Sequence, residues 1–169
     1  TFLDLDKDYR RAAFECLSLH FAAGIKQHLA GHRVLSANFY VKPPDQGVFP
    51  IHQNWPVLNL AETSVSIWCP LVDVDPANGT LHVLPGSHKL LPHIEGPNSP
   101  CYFSEIMPQV RERLVPVTLS AGEAAIFDDG LIHESPANLS QSPRIAVQIT
   151  CVPDEARPVF YYKHNEQKF

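Results

Sequence analysis

The chain has 169 residues, of which 44% are hydrophobic and 18% charged, and its formal net charge is −5 at neutral pH. This length suits one domain with a buried core, so we expect residues 1–169 to form a single domain. The acidic balance and the absence of a basic run exclude a typical nucleic-acid-binding protein. The sequence contains 16 prolines, well above the usual share of about 5%, which favours turns and loops over long helices.

The cysteines and the apolar segments indicate the cellular compartment. The four cysteines are Cys16, Cys69, Cys101 and Cys151. They are far apart and form no Cys-x-x-Cys pair, so a zinc ribbon is excluded and free thiols in a reducing compartment are the simpler interpretation. No apolar run approaches the roughly 18 residues that a membrane span needs, and no signal peptide is visible. We therefore expect a cytoplasmic protein, although the chain begins at Thr1 and a targeting segment could have been removed.

One helix is predicted near the start of the chain, from Asp6 to Ala30. Apolar residues recur there at helical spacing, and Gly31 is a suitable stop. The residues that define the spacing are Ala12, Ala13, Leu17, Phe21 and Ile25. We expect this helix to pack outside the β structure that follows.

After Gly31 the sequence changes to short β segments separated by turn residues. The predicted strands, in a β core over residues 33–152, are Arg33–Lys42, Val48–Asn54, Ser64–Val72, Gly79–Leu84, Leu114–Leu119, Ala124–Asp128, Leu131–Glu134 and Arg144–Val152. About eight short strands after one helix favour a sandwich or a closed barrel. The least regular stretch, Leu90–Pro108, is rich in proline and would suit a lid over a pocket.

Two of these strands alternate between an apolar face and a face of mainly polar or aromatic side chains, because successive side chains point to opposite sides. The apolar faces are Val65, Ile67, Cys69, Leu71 and Ile145, Val147, Ile149, Cys151. The opposite faces are Ser64, Ser66, Trp68 and Arg144, Ala146, Gln148, Thr150. Two interpretations are open at this point. The second face is either a wet outer surface or the lining of a ligand pocket inside a barrel.

Two histidines occupy strand positions that suit metal ligation. His52 and Asn54 share one face of a predicted strand, and His133 and Ser135 share one face of a later strand. Two imidazoles and the oxygen of a His-x-Asp/Glu pair form the facial triad of non-haem iron(II) oxygenases, which leaves positions open for a cosubstrate and oxygen. Arg144, on the next strand, would suit a dicarboxylate cosubstrate. His-x-Asn by itself is a weak signal.

The motifs around these residues resemble a known family. They are the run Ser66–Asp75, Asn78-Gly79-Thr80-Leu81, Leu84-Pro85-Gly86-Ser87-His88-Lys89, Ala121-Gly122-Glu123-Ala124, Ile132-His133-Glu134-Ser135-Pro136-Ala137-Asn138 and Arg144. In this order and spacing, over roughly Leu35 to Tyr162, the chain resembles the phytanoyl-CoA dioxygenase family of iron(II)/2-oxoglutarate oxygenases. The resemblance implies a mainly β fold, a double-stranded β-helix (jelly roll, cupin-like), with iron at one mouth.

The resemblance also implies cofactors, partners and residue roles. Iron(II) would be bound by His52 and His133, and the distal carboxylate of 2-oxoglutarate would be held by Arg144. Ser135 would be a hydrogen-bond partner of that carboxylate, and Trp68 falls where the family places an aromatic residue near the cosubstrate. The other expected partners are a small-molecule substrate and molecular oxygen, without nucleic acid or membrane. The primary substrate and the oligomeric state stay open.

Asn54 departs from the family pattern, which has His-x-Asp. An amide oxygen can ligate a metal, but it is neutral, so the metal affinity should fall. Asn54 is then a weaker third ligand in an active dioxygenase, which would hydroxylate an unactivated C–H bond. Alternatively, the chain is a catalytically impaired jelly-roll binding module, or an engineered inactive variant. All three interpretations are open at the level of the sequence.

Overall fold

A computed structural model gives the structure of the protein and describes residues 1, 3–94, 96 and 101–161. Part of the predicted lid, including Pro97 and Pro100, lies outside the described residues, as does Tyr162. The two α-helices are α1 (Lys7–His28) and α2 (Met107–Arg111). The strands are β1 (His32–Lys42), β2 (Phe49–His52), β3 (Val65–Pro70), β4 (His82–Val83), β5 (Val115–Pro116), β6 (Ala125–Asp128), β7 (His133–Ser135) and β8 (Arg144–Pro153).

Helix α1 begins where the sequence predicts, because Asp6 caps its first turn. The Asp6 carboxylate accepts hydrogen bonds from the backbone N–H groups of Asp8 at 2.9 Å and Tyr9 at 3.1 Å. These bonds satisfy donors that have no partner inside the helix. The buried residues of the helix are Ala13, Leu17 and Ile25, whereas Ala12 is exposed.

The strands form two four-stranded antiparallel sheets, as expected for a mainly β fold. Sheet I has the order β1-β8-β3-β6, and sheet II has the order β2-β7-β4-β5. A strand lies within or beside each predicted strand segment. Most strands are shorter than predicted, above all β4, which is only His82–Val83, and β5, which is only Val115–Pro116. Proline has no N–H to donate, which limits how far a strand such as β5 can pair.

The apolar face of sheet I packs against α1. One buried cluster joins the helix to β1, β3 and β8 and contains Leu17, Ile25, Ala37, Ile67, Cys69, Val147, Ile149 and Cys151. The opposite face of the same strands contributes Trp68, Arg144 and Gln148 to the lining of a cavity. The alternating pattern left open whether this face is a wet outer surface or the lining of a pocket. The structure shows that it lines a pocket.

A helix that the sequence did not indicate begins at the end of the predicted irregular stretch and runs to Arg111. Helix α2 is a short helix with Pro108 in its first turn and Val110 buried. No helix among the described residues combines the length and apolar character that crossing a bilayer requires.

The buried cysteines Cys69 and Cys151 are free thiols, and burial, together with the charge of Asp129, raises the pKa of Cys151 to about 11.

Candidate metal and carboxylate site

His52 and His133 lie side by side on paired strands of sheet II. They are register partners in the β2–β7 ladder, and their ring centroids are 4.3 Å apart. The Nδ1 atom of His52 is 2.7 Å from the carbonyl oxygen of Pro50, and that of His133 is 2.8 Å from the carbonyl oxygen of Leu131. A carbonyl only accepts, so Nδ1 of each ring is a protonated nitrogen and Nε2 is the atom that would bind a metal. Two imidazoles held in this tautomer form a donor set for a divalent transition metal.

The environment of His133 keeps its ring neutral. Burial lowers the pKa of His133 to about 3, the charge of His52 adds to this effect, and the hydrogen bond to the Leu131 carbonyl opposes it. The ring also makes an edge contact with Phe127, whose centroid is 5.3 Å away. The neutral imidazole is the form that binds a metal.

Asn54 follows β2, and a buried carboxylate fixes the orientation of its amide. Its Nδ2 donates to Asp129 Oδ1 at 2.8 Å and to Ser66 Oγ at 3.0 Å. An ionised carboxylate accepts only, so the amide nitrogen faces Asp129 and the amide oxygen points away from it. Asn54, His52 and His133 line the same cavity, which has a volume of about 100 Å³.

Among the described residues, no acidic side chain completes a metal site with the two histidines. Across residues 1, 3–94, 96 and 101–161, no three His, Cys, Asp or Glu side chains come together in a group that could hold a metal ion. The neutral oxygen of Asn54 is therefore the candidate for a third protein ligand in that part of the chain.

Arg144 lines the same cavity from sheet I, and some of its donors have no acceptor in the described part of the chain. It is 2% exposed. Its Nη2 donates to Ser135 Oγ at 3.1 Å and to the Gly79 carbonyl at 3.4 Å, and its guanidinium lies 5.4 Å from the ring centroid of Trp68. Its buried Nε and Nη1 atoms have no hydrogen-bond partner among the described residues. Buried donors without partners are costly, so the guanidinium fits an anion such as a carboxylate.

Lys42 is a second buried cationic side chain beside Arg144. The two residues are register partners on β1 and β8, and Lys42 is 1% exposed. Its Nζ donates to Ser135 Oγ at 2.5 Å and to the Ser135 carbonyl at 3.0 Å. Burial, followed by the charge of Arg144, lowers the pKa of Lys42 to about 7, and the charge of Glu134 opposes the shift. Two buried basic side chains, Lys42 and Arg144, therefore meet at Ser135.

The residues predicted from the sequence meet in one place. The cavity lining includes His52, Asn54, Trp68, His133, Ser135 and Arg144. Two further residues were missed: Lys42, which had no recognisable signal, and Asp129, whose position at the end of a strand is typical of a turn former. The signal for Asp129 was the pair Ser64 and Ser66 at the start of β3. This strand pairs with β6, which directly precedes Asp129.

A larger cavity, of about 690 Å³, adjoins the site and shares His52 and Asn54 with it. Its other lining residues are mainly aromatic, aliphatic or neutral polar, with one carboxylate, Asp129; they include Asn38, Phe39, Tyr40, Phe49, Trp55 and Gln148. Such a surface offers apolar contact with a few hydrogen bonds, as small-molecule pockets do.

The described part of the Leu90–Pro108 segment lies against the end of β2. The His93 Nε2 atom is 2.7 Å from the Asn54 carbonyl oxygen, and the Tyr102 hydroxyl donates to Gln53 Oε1 at 3.1 Å. Phe103 is buried in a cluster with Ile51 and Ile132. This segment therefore lies beside the histidines, and its role as a lid stays a prediction.

Known proteins resemble the chain in sequence or in structure. A phytanoyl-CoA dioxygenase of Arabidopsis thaliana is 30% identical over 125 residues, which cover 70% of this chain and 44% of that protein. The solved structure of SnoK, a non-heme alpha ketoglutarate dependent carbocyclase from nogalamycin biosynthesis, matches with a TM-score of 0.72 at 25% identity, over 88% of this chain and 62% of its own.

The epimerase SnoN, solved in complex with Fe3+, alpha ketoglutarate and nogalamycin RO, shares the fold with a TM-score of 0.69 at 24% identity, over 85% of this chain and 60% of its own. The present chain covers 44% of the length of the Arabidopsis protein, which is less than half. The sequence profile of the phytanoyl-CoA dioxygenase (PhyH) family matches residues 5–146, most of the chain. The chain therefore belongs to the phytanoyl-CoA dioxygenase family.

Proposed function

We propose that this chain is an iron(II)/2-oxoglutarate-dependent dioxygenase domain that hydroxylates an unactivated C–H bond of a small organic substrate. The observation that carries the proposal is the buried Arg144, whose Nε and Nη1 lack partners in the described chain, in one cavity with the His52–His133 pair. The two sheets would form the double-stranded β-helix of this family as a single domain, with α1 packed outside sheet I.

The donor set fits iron(II). His52 and His133 offer imidazole Nε2 atoms, and Asn54 offers an oxygen, which is the nitrogen and oxygen chemistry that non-haem iron(II) accepts. Because the amide is neutral, we expect weaker metal retention than with a carboxylate. These three side chains would hold the metal at the sheet II side of the cavity.

The donors around Ser135 fit the far carboxylate of 2-oxoglutarate. Arg144 would bind it through the buried N–H groups that have no partner in the described chain. Ser135, whose Oγ accepts from Lys42 and Arg144, would lie beside this carboxylate and hold the guanidinium in place, and Trp68 would cover the guanidinium. When bound, iron(II) and 2-oxoglutarate would supply the oxidising chemistry, in which O₂ is consumed, 2-oxoglutarate becomes succinate and CO₂, and the substrate C–H becomes C–OH.

The 690 Å³ cavity would admit the primary substrate from the side of His52 and Asn54. Its aromatic and aliphatic lining would exclude water from the reacting bond, and its neutral polar groups, Asn38 and Gln148 among them, would orient the substrate. This lining supports a small organic molecule as the substrate.

The proposal is tested by mixing the metal-free protein anaerobically with iron(II) and then with 2-oxoglutarate. A visible metal-to-ligand charge-transfer band is the expected result, because the keto acid would chelate the metal held by His52 and His133. Failure to retain iron, together with the absence of a band, would contradict the proposal.

Asn54 supports a second candidate, a non-catalytic jelly-roll module that binds a small carboxylate or a metal. The substitution Asn54→Asp separates the two. An active natural enzyme turns over 2-oxoglutarate with Asn54 in place, whereas a decayed site gains iron and turnover only when the carboxylate is restored. The binding module gains support if neither protein consumes oxygen in the presence of iron(II) and 2-oxoglutarate.

A further inference from the structure

Asp129 is a buried carboxylate that has no role in the function proposed above. It is 1% exposed. Its Oδ2 accepts from Ser64 Oγ at 2.5 Å, and its Oδ1 accepts from Ser66 Oγ at 2.5 Å and from Asn54 Nδ2 at 2.8 Å. Within the described ranges, no Lys, Arg or His side chain forms an ion pair with it. A buried charge without a cation is costly, so its presence calls for a reason.

The backbone reinforces the link between Asp129 and Asn54. The Asn54 N–H donates to the Asp129 carbonyl at 3.0 Å, and the Asp129 N–H donates to the Ser64 carbonyl at 3.0 Å. Asn54 is thus held to Asp129 by one main-chain and one side-chain hydrogen bond. These two bonds fix the side-chain torsions of Asn54 and determine which end of its amide faces Asp129. The amide oxygen therefore points away from Asp129.

We propose that Asp129 is a positioning residue for the metal site and that it acts through Asn54. It directs the amide oxygen of Asn54 towards the His52–His133 pair, and it supplies from behind the amide the negative charge that a His-x-Asp ligand would carry. A carboxylate that accepts from the amide N–H polarises the amide, so the amide oxygen becomes more negative and a better ligand. This inference rests on the proposed metal site and deepens it.

The neighbouring Asp128 provides a matched control. Its Oδ2 accepts from Thr63 Oγ1 at 2.7 Å and its Oδ1 from the Gly130 N–H at 2.8 Å, and neither oxygen bonds Asn54. Asp128→Asn therefore removes the same charge one residue away without touching the amide. A general electrostatic effect would appear in both variants, whereas positioning would appear only in Asp129→Asn.

The experiment is a cobalt(II) titration of the metal-free protein without 2-oxoglutarate, followed through the visible cobalt bands. Asp129→Asn is expected to weaken cobalt(II) binding by about 10–100-fold and to change the band positions. Asp128→Asn is expected to leave both nearly unchanged. If Asp129→Asn and Asp128→Asn bind cobalt(II) as the parent does, the inference is overturned while the proposed metal site stands.

The double substitution Asn54→Asp/Asp129→Asn tests the inference even if the single substitution Asp129→Asn prevents folding. The new amide at position 129 can donate to the new carboxylate at position 54, so the hydrogen bond is restored with its polarity reversed. Thermal unfolding checks that the fold is kept. Cobalt(II) affinity at or above the parent's value is expected, and an affinity about 10-fold or more below the parent's would overturn the inference. A parent protein that binds no cobalt(II) would overturn this inference and the proposed function together.

Discussion

At the scale of single residues, the site is built from buried charges of opposite sign. Lys42 and Arg144 surround Ser135, whereas Asp129 lies behind Asn54. A bound divalent cation near Asn54 and a bound carboxylate near Ser135 would match this distribution of charge. Each charge is largely shielded from water, so its attraction for a ligand of opposite sign is stronger than at the surface.

Lys42 is expected to make stability depend on pH. Its pKa in the folded protein is lowered to about 7 from 10.5, mainly by burial. The unfolded chain therefore binds this proton more tightly, and between about pH 7 and 10 the stability contributed by the group rises with pH. The free energy of unfolding of the parent, minus that of Lys42→Met, should increase over this range.

Chemical denaturation of both proteins at several pH values measures this difference. The subtraction removes the titration of groups that the two proteins share. A difference that is flat with pH, or that falls as the pH rises, would show that the acceptors around Lys42 stabilise its charged form.

At the scale of elements, α1 stabilises sheet I through a few residues. Leu17 is 5% exposed and belongs to the cluster with β3 and β8, whereas Leu19, two residues away, is 75% exposed. Leu17→Ala should lower the free energy of unfolding by about 2–5 kcal/mol, and Leu19→Ala by no more than about 0.5 kcal/mol. Urea denaturation of the two variants checks the difference, and equal losses would contradict the packing of α1 on the sheet.

The turn before β4 supports the carboxylate end of the cavity. Gly79 has φ +74°, and a Cβ atom there would lie 2.5 Å from the Pro136 carbonyl oxygen. Its own carbonyl accepts from Ser135 Oγ at 2.7 Å. Gly79→Ala should therefore cost about 2–3 kcal/mol of stability, from the left-handed backbone and the added clash.

Gly122 is the control for this substitution. It has φ +88°, but a Cβ atom there would meet nothing within 4 Å. Gly122→Ala should show the conformational cost alone, roughly 1 kcal/mol. If thermal or urea unfolding gives the same loss for both variants, the close approach of Gly79 to Pro136 has no energetic consequence.

At the scale of the whole molecule, local patterns predicted the elements well. The helical spacing of Leu17 and Ile25, the stop at Gly31, and the Pro and Gly breaks located α1 and the strands, because periodicity and turns are local properties. The pairing of strands was not predictable in this way. Lys42 and Arg144 are register partners although they are distant in sequence, and no local pattern contains that information.

The residues of the candidate site also divide into those that local sequence patterns predict and those that only the tertiary structure reveals. His52, His133 and Arg144 were proposed from motifs in a fixed order, and the fold brings them to one cavity. Asp129 was missed because a carboxylate at a strand end usually forms a turn. Only the tertiary structure places it against Asn54, where two serines and an amide satisfy its oxygens.

The central claim, that the histidine pair and Arg144 form an iron(II) and 2-oxoglutarate site, is tested most directly by one dissociation constant. The affinity of 2-oxoglutarate for the iron(II)-loaded protein is measured anaerobically through the charge-transfer band, in the parent, in Arg144→Met and in Arg11→Met. Arg11 lies on α1 with its side chain 69% exposed, so Arg11→Met serves as the control.

We predict that Arg144→Met weakens 2-oxoglutarate binding by about 30-fold or more, since truncating one member of a buried charge pair costs at least about 2 kcal/mol. Arg11→Met should bind as the parent does. Equal affinities for the parent and Arg144→Met would contradict the account.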